Sequence, residues 1–366
     1  MKNIQAFPNF LFDSSNDLLS FLKKYKKILL IHSNSISKNR LFQLVKDKIG
    51  YNIEFYNISK KKMSINKKFY NQINSEKKFD LVLSIGGGSA IDIGKIFYAK
   101  ILNKNFLYSK NKNTNIEFES DKTDFAVLVT LPGSGAETSK TSVINISNKK
   151  FFFISRSFLP KYVAYDFDMI SKNNYIQQIF RMIDALMHAI ESRETILSST
   201  FSDHLSRNLI SDIKKLIKKI FKNNNSKFKL PVVKEMCAIS FYGGIVQSEC
   251  GSSLCHAIAH FLESHSALNH SESIFLASFA KLNYEKKVKN KSEILKFENL
   301  LRYIYTNILS NKERIYYNKI IDSINLRKFL KIVKDDPCYK LTNKQVDIKK
   351  LKSVMCLIKE KKKWSI

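Results

Sequence analysis

Acidic and imidazole side chains occur at spacings that suit a metal ion. Asp184 and His188 lie four residues apart, so a helix would present both on one face. Four of the seven histidines follow within fifteen residues of one another: His256, His260, His265 and His270. One carboxylate with three imidazoles would suit Fe(II) or Zn(II) and would leave a coordination position open. The residues that would form this site are Asp184, His188, His256 and His270. The competing interpretation is a set of ordinary polar and capping histidines.

A glycine-rich segment indicates a second kind of site. Six of the ten glycines lie in two short segments, Gly86-Gly87-Gly88-Ser89 with Gly94, and Gly133-Ser134-Gly135. The first stretch follows the apolar run Phe79 to Ile85 and precedes an apolar-periodic segment, which predicts a strand, a tight turn and a helix. Such a turn lets backbone amides approach a pyrophosphate closely. The G-x-G-x-x-G spacing is missing, so a tight turn without a ligand is the alternative.

The elements that must hold these residues divide the chain in two. Four short apolar runs, separated by segments of helix length, predict parallel βαβ units: Lys27 to Ile31, Asn52 to Tyr56, Phe79 to Ile85 and Phe125 to Val129. From about Tyr175 the pattern becomes helical. We therefore expect an α/β plus α protein. A parallel-sheet, dinucleotide-binding domain would span residues 1–170, and an all-helical metal-binding domain would span residues 171–366.

Four segments agree in order and spacing with the motifs of one family. They are Ser84-Ile-Gly-Gly-Gly-Ser-Ala-Ile-Asp-Ile-Gly-Lys95, Thr130-Leu-Pro-Gly-Ser-Gly-Ala-Glu-Thr138, Asp184-Ala-Leu-Met-His-Ala-Ile-Glu191, and His256-Ala-Ile-Ala-His260 with His270. Together they resemble the iron-containing (group III) alcohol dehydrogenases, which are related to glycerol dehydrogenase and dehydroquinate synthase. The resemblance implies hydride transfer between NAD or NADP and an alcohol or carbonyl held at Fe(II) or Zn(II).

The resemblance also assigns roles to individual residues. It places the pyrophosphate at Gly87, Gly88 and Ser89, and cofactor contacts from the second loop at Thr130 and Ser134. Lys150 matches a lysine near the nicotinamide ribose, although it also fits as one more surface lysine. His260 matches a histidine close to the metal that is not a firm ligand. A proton-relay role and a ligand-orienting role both suit it, while Glu191 fits an orienting role or a structural salt bridge.

Four residues depart from the family pattern. The family usually has proline-histidine-glycine around the last ligand, whereas this chain has Asn269-His270-Ser271. Met182 stands where the family usually has glycine, two residues before the metal aspartate. Ser33, at the end of the first predicted strand, stands where NAD-preferring relatives often carry an aspartate. Because a neutral serine does not repel a 2′-phosphate, NADP is compatible with this sequence.

Composition limits the remaining function classes. The formal charge of +30 raises the alternative of a non-catalytic basic binding protein on the same scaffold, but the lysines are dispersed and not gathered in one patch. We therefore expect no nucleic-acid or membrane partner, a small-molecule substrate and a homodimer. Five cysteines without a CxxC pair predict free thiols, and the lack of a signal segment predicts a soluble cytoplasmic protein. A dehydroquinate-synthase-like sugar-phosphate cyclase is the other alternative.

Overall fold

The computed structural model describes residues 9–10, 15–33, 36, 40–49, 53–58, 79–103, 106, 123–146, 149–221, 227–286 and 291–342. The described residues pack into two compact units. The first lies within Met1–Asn173 and Ser226–Ser248, and the second within Asn174–Asn225 and Glu249–Ile366. The expected domain limit at residue 170 stays a prediction. In the structure, Ser226–Ser248 packs with the first unit, whereas the prediction placed these residues in the second domain.

A six-stranded parallel sheet forms the centre of the first unit. The strands of this unit are β1 (Asn9–Phe10), β2 (Ile28–Ser33), β3 (Ile53–Ile58), β4 (Leu81–Gly86), β5 (Asp124–Val129), β6 (Thr141–Ile146), β7 (Lys149–Ile154) and β8 (Tyr162–Tyr165). The sheet order is β1-β8-β5-β4-β2-β3, and every pairing is parallel. All six residues of β4 are buried, as in a parallel sheet covered on both faces. The predicted parallel-sheet domain is confirmed.

Helices and a hairpin complete the first unit. The helices are α1 (Ser15–Leu22), α2 (Arg40–Ile49), α3 (Gly88–Leu102) and α4 (Phe167–Ser171), together with most of α7 (Leu230–Cys250). Strands β6 and β7 pair antiparallel as a separate two-stranded ribbon, which the sequence did not predict. Helix α3 starts directly after the glycines that follow β4, which confirms the predicted strand, turn and helix.

The second unit is built from helices. They are α5 (Tyr175–Ser192), α6 (Thr200–Phe221), α8 (Leu254–His265), α9 (His270–Lys286), α10 (Lys291–Tyr303), α11 (Asn311–Asp322), α12 (Leu326–Asp335) and α13 (Pro337–Leu341). Polar caps set several of the starts: the side chain of Asn174 accepts a hydrogen bond from Gln177 N, and Ser310 forms a capping box with Glu313. The predicted helical C-terminal region is confirmed.

Four cysteines in the described part of the chain, Cys237, Cys250, Cys255 and Cys338, are free thiols, as predicted. Cys356 lies outside the described residues. None of the described helices is both long and apolar enough to span a membrane.

Candidate functional site

Three helices of the second unit bring a carboxylate and three imidazoles together. Asp184 and His188 lie on α5, His256 lies near the start of α8, and His270 is the first residue of α9. The Nε2 atoms of His256, His188 and His270 lie 3.4, 3.7 and 3.9 Å from Asp184 Oδ1. All four predicted ligands therefore converge on one carboxylate oxygen, as the i and i+4 spacing on α5 requires.

Three buried polar atoms of this cluster are not satisfied by the described part of the protein. Asp184 Oδ1, His188 Nδ1 and His256 Nε2 are buried and have no hydrogen-bond partner among the described residues. An unpaired buried polar atom is destabilising, so such atoms are normally hydrogen-bonded or bind a ligand. A divalent cation would satisfy the facing Asp184 Oδ1 and His256 Nε2. The donor set of the cluster therefore fits a metal ion.

Some of the distances between the predicted ligand atoms match those expected around one small metal ion. Two ligand atoms about 2.1 Å from a tetrahedral ion are roughly 3.4 Å apart, and Asp184 Oδ1 and His256 Nε2 have this separation, 3.4 Å. Asp184, His256 and His270 each offer an atom within 4.8 Å of the other two. His188 is not in this group of three, although its Nε2 lies 3.7 Å from Asp184 Oδ1.

The charge states of the ligands follow from burial and mutual attraction. Burial alone would raise the pKa of Asp184, but His188, His270 and His256 hold that pKa well below its usual range. Burial lowers the pKa of His188 to about 3. Burial also lowers the pKa of His256, but the attraction of Asp184 and Glu191 outweighs burial and raises the pKa to about 9. Asp184 is thus ionised and His188 neutral, which are the forms that bind metals, whereas His256 would release a proton when a metal binds.

Carboxylates on the far side of two imidazoles fix their orientation. Glu191 Oε2 lies 2.5 Å from His256 Nδ1, and Glu263 Oε2 lies 3.2 Å from His270 Nδ1. When Nδ1 donates to a carboxylate, the lone pair is on Nε2. Nε2 is the atom of both histidines that approaches Asp184. The structure thus supports the orienting role of Glu191, together with the structural salt bridge that the sequence also allowed. Glu263 was not predicted.

Glu191 is held by several donors in addition to His256. Its Oε1 accepts hydrogen bonds from Cys255 N at 2.6 Å and Ser253 Oγ at 2.7 Å, and its Oε2 accepts from Ser253 N at 3.2 Å. The buried ammonium of Lys281 lies 3.7 Å from Oε1 and pairs with Glu194. Burial would raise the pKa of Glu191, but Lys281 and His256 hold it below its usual range. The carboxylate therefore joins α5 to the first amides of α8.

Asn269, the unusual residue before His270, has a local structural reason. Asn269 precedes α9, and its Oδ1 accepts a hydrogen bond from Glu272 N at 3.1 Å while Asn269 N donates to Glu272 Oε2 at 2.9 Å. This reciprocal pair is the arrangement of a capping box. Asn269 thereby fixes the first turn of the helix that carries His270. Ser271 and Met182 are both buried, and nothing in the structure assigns either a role at the site.

We expect Asn269→Ala to lower the free energy of unfolding by about 1 kcal/mol, because the alanine removes a helix N-cap. Asn269→Ser retains a capping oxygen and should stay close to the parent protein. Urea unfolding of both variants, each measured with and without added Zn(II), checks this expectation. Equal stability of the alanine and serine variants would contradict the capping role.

His260 and His265 lie on α8 but not among the group around Asp184. The ring of His260 is buried, with its centroid 5.7 Å from that of His270 and 6.3 Å from that of His256. His260 Nδ1 is hydrogen-bonded to Asp336 Oδ2 at 3.0 Å. His265 is exposed and stacks on Phe261, with the ring centroids 4.4 Å apart. It therefore takes no part in the cluster.

In the first unit, the predicted cofactor residues lie on two adjacent loops. Gly87 is the N-cap of α3, and Gly87, Gly88 and Ser89 are all partly exposed. A Cβ on Gly88 would lie 2.6 Å from Ser134 Oγ, so the two predicted loops pack against each other. Because Gly87 provides no side-chain cap, the first amides of α3 are not capped by the residue before the helix. Such amides form the arrangement that binds phosphate.

The second loop is anchored by contacts that the sequence did not reveal. Ser240 Oγ accepts a hydrogen bond from Gly133 N at 2.7 Å and donates to buried Glu137 Oε1 at 2.6 Å. Gly135 has φ +66°, and a Cβ there would lie 2.3 Å from Gly244 Cα. Thr130 is almost fully buried, and its Oγ1 has no hydrogen-bond partner among the described residues. The loop geometry therefore depends on α7, about a hundred residues further along the chain.

The position of the loops in the sheet agrees with a nucleotide site. The chain passes from β2 to β3 on one side and then to β4 on the other side of β2, so the winding direction reverses between β2 and β4. Ligands of open parallel sheets bind outside the carboxyl ends of the strands at this reversal. Ser33 and Gly86 are the last residues of β2 and β4. Lys150 is on β7, in the separate ribbon.

Comparison with known proteins extends this picture. The iron-containing alcohol dehydrogenase family model matches residues 9–167, and the C-terminal model of the Fe-containing alcohol dehydrogenase family matches residues 178–325. The probable alcohol dehydrogenase EutG of Escherichia coli is 27% identical over 187 residues, which cover 50% of this chain and 46% of that protein. The chain thus spans about half the length of the curated relatives it matches.

Solved structures share the fold over nearly the whole chain. The iron-containing alcohol dehydrogenase of Thermococcus thioreducens has a TM-score of 0.74 at 15% identity, covering 96% of this chain and 98% of that one. Sulfoacetaldehyde reductase of Bifidobacterium kashiwanohense, solved in complex with NAD+, has a TM-score of 0.74 at 13% identity and covers 97% of each chain. At these identities the likeness concerns the fold alone.

Proposed function

Because the chain belongs to the iron-containing alcohol dehydrogenase family, we propose that it is a metal-dependent, NAD(P)-linked alcohol dehydrogenase or carbonyl reductase. The observation that carries the proposal is the buried cluster around Asp184. Its carboxylate oxygen has no hydrogen-bond partner among the described residues, although three imidazoles face it. Without a cation, a cluster of this kind does little to stabilise the fold, because two of the facing polar atoms remain unsatisfied.

The metal would be held by Asp184, His188, His256 and His270. When bound, Fe(II) or Zn(II) supplies a Lewis acid that polarises a substrate oxygen. The residues contribute the rest: Asp184 supplies the negative charge, and Glu191 and Glu263 keep His256 and His270 turned toward it. One carboxylate with three imidazoles suits iron and zinc equally, so this proposal includes both metals.

The dinucleotide would be held in the first unit by the two glycine-rich loops. The amides at the start of α3, including those of Gly88 and Ser89, would bind the pyrophosphate, and Thr130 and Ser134 would contact the cofactor from the second loop. Support comes from the strand reversal between β2 and β4. We retain Lys150 as a residue near the nicotinamide ribose.

We expect Ser33→Asp to lower activity with NADPH relative to NADH by tenfold or more, since a carboxylate a few ångströms from a 2′-phosphate is repelled by several kcal/mol at reduced dielectric. Ser33→Asn introduces a side chain of the same size as aspartate but without its charge, and it is the matched control. Initial rates with both cofactors test the expectation. If the aspartate and asparagine variants show the same ratio, Ser33 does not face the adenosine ribose.

His260 would act in proton transfer. Its ring is buried beside His270 but outside the group of three around Asp184. We propose that it relays the proton that an alcohol loses in oxidation or that a carbonyl gains in reduction, while the nicotinamide carries the hydride. The orienting role that the sequence also allowed finds less support, because the Nδ1 of His256 and of His270 is already hydrogen-bonded to a glutamate.

Two other functions fit the same fold. Dehydroquinate-synthase-like cyclases also join a glycine-rich NAD domain to a helical metal domain, but their metal shell has a glutamate and two histidines. The converging aspartate and three histidines of this chain favour a dehydrogenase. A non-catalytic binding protein has no reason to keep unsatisfied buried ligands.

The proposal also includes a homodimer in the cytoplasm. Light scattering of the purified protein tests the dimer.

The decisive experiment is elemental analysis of protein purified without oxygen, followed by NADH and NADPH oxidation with a panel of aldehydes and ketones. We expect close to one Fe or Zn per chain and turnover with at least one carbonyl substrate. Protein with no bound metal after loading, or full activity in the presence of a strong chelator, would refute the proposal. Metal binding combined with cyclase activity and no net NADH consumption would favour the cyclase.

A further inference from the structure

One charged residue near the site has no role in the function described above. Asp336 links α12 to α13, and its Oδ2 lies 3.0 Å from Nδ1 of the buried His260. The side chains of both residues are at least nine-tenths buried, with exposed fractions of 7% for His260 and 10% for Asp336. The two residues are 76 positions apart in the sequence, so the pairing is made by the fold alone.

We propose that Asp336 is a positioning residue for His260. By accepting the hydrogen on Nδ1, its carboxylate would fix the ring orientation and leave the lone pair on Nε2. The inference rests on the proposed function, because it deepens the role given there to His260. Asp336 lies outside the sequence motifs, and the proposed function gives it no role.

The backbone around Asp336 holds the carboxylate in place. Asp336 ends α12, where its N–H donates to Val333 O at 3.1 Å, and it caps α13, where its Oδ1 accepts from Cys338 N at 2.8 Å. Pro337 occupies the first turn of α13 and restricts the chain there. One oxygen is thus used by the helix cap and the other by His260. A carboxylate fixed in this way can define the orientation of an imidazole.

The same arrangement occurs at two neighbouring histidines. Glu191 pairs with Nδ1 of His256 and Glu263 pairs with Nδ1 of His270, and both Nε2 atoms approach Asp184. Asp336 gives His260 the third such carboxylate partner in this cluster. By analogy, Nε2 of His260 would be the atom that accepts and releases a proton.

A metal site is a different interpretation of the same residues. His260, Asp336 and Cys338 each offer an atom within 4.8 Å of the other two, and imidazole, carboxylate and thiolate all bind zinc. However, hydrogen bonds already engage both oxygens of Asp336, and one of them binds the nitrogen that would have to coordinate the ion. The contacts therefore favour the hydrogen-bonded pair, and metal binding becomes an outcome of the test.

The first test measures the tautomer of His260 directly. Histidine is labelled with 15N in the full-length, zinc-loaded protein, and the His260 signals are assigned by their loss in His260→Ala. We expect the hydrogen on Nδ1 in the parent protein and on Nε2 in Asp336→Asn, whose amide hydrogens can face Nδ1. A parent protein with the hydrogen on Nε2 would overturn the proposal. The same spectra on metal-free protein require no activity, so they test Asp336 even if the proposed function fails.

The second test asks whether Asp336 acts through His260. Asp336→Asn should lower kcat about 10- to 100-fold, the usual effect of losing such a partner, with KM and bound metal nearly unchanged. The neighbouring exposed Asp335→Asn removes the same charge and should leave kcat unchanged. In a His260→Ala background, Asp336→Asn should cause almost no further loss. Effects that multiply, or loss of one metal equivalent on Asp336→Asn alone, would overturn the proposal.

Discussion

Asp184→Asn is expected to lose its bound metal and to reduce hydride transfer by about a thousandfold or more. The change keeps the size of the side chain but removes the only carboxylate in the group of Asp184, His256 and His270. Several kcal/mol of Lewis-acid stabilisation are lost with the ion, and each 1.36 kcal/mol corresponds to about tenfold in rate. Moreover, the new amide hydrogens can bind the lone pairs that would otherwise face the ion, which closes the site.

His270→Ala extends the same test. It removes one imidazole while leaving the buried pair Asp184 and His256 in place, so metal affinity should fall without disruption of α5. Asp212→Asn, on an exposed part of α6, removes one solvent-exposed charge and is the matched control. Metal content, measured after equilibration with Fe(II) or Zn(II), is compared with kcat. Full metal retention in both the Asp184 and His270 variants would contradict the four-ligand site.

Glu191→Gln is expected to affect both stability and metal affinity. The neutral amide cannot accept from Cys255 N, Ser253 Oγ and His256 together, and Lys281 is left with Glu194 alone. Breaking a buried ion pair from one side typically costs about 3 kcal/mol. Without its acceptor, His256 no longer has a preferred nitrogen for the metal, so metal affinity should fall about 10- to 100-fold.

Glu194→Gln is the control for this second prediction. Glu194 also contacts Lys281, but it is partly exposed, and Lys281 would keep Glu191 as a partner. Its variant should lose less stability and retain nearly full metal affinity. Chemical unfolding of metal-free protein measures the first effect, and competition with a chromophoric chelator measures the second. Equal effects of the two substitutions would show that Glu191 has only a structural role.

Four strands of the sheet, β2 to β5, could be predicted because each is a short, largely apolar run of residues. Strand β6 of the hairpin was missed for the opposite reason. Thr141 to Ile146 mixes polar and apolar residues, and it pairs only with its own neighbour. Such a segment has no apolar run to distinguish it from a loop.

The candidate ligands could be recognised in the sequence because two of them recur at helical spacing, whereas the carboxylates that contact their histidines could not. Asp184 and His188 share a helical face, and the order of the motifs identified His256 and His270. Glu263, which supports His270, is an ordinary surface-type residue in the sequence, and Asp336 is 76 residues from His260. Contacts of this kind depend on how helices pack, and no local pattern encodes them.

The discontinuous first unit sets an order on folding during synthesis. Its central sheet is complete once Tyr165 has emerged from the ribosome, yet the loop around Gly133 still lacks Ser240 and Gly244, which come with α7. Until then, buried Glu137 has no hydroxyl from Ser240 to bind. The nascent chain must therefore hold an unfinished sheet unit while α5 and α6 are made, and a fragment that stops at Asn173 would expose a carboxylate and two loop amides that the full chain satisfies.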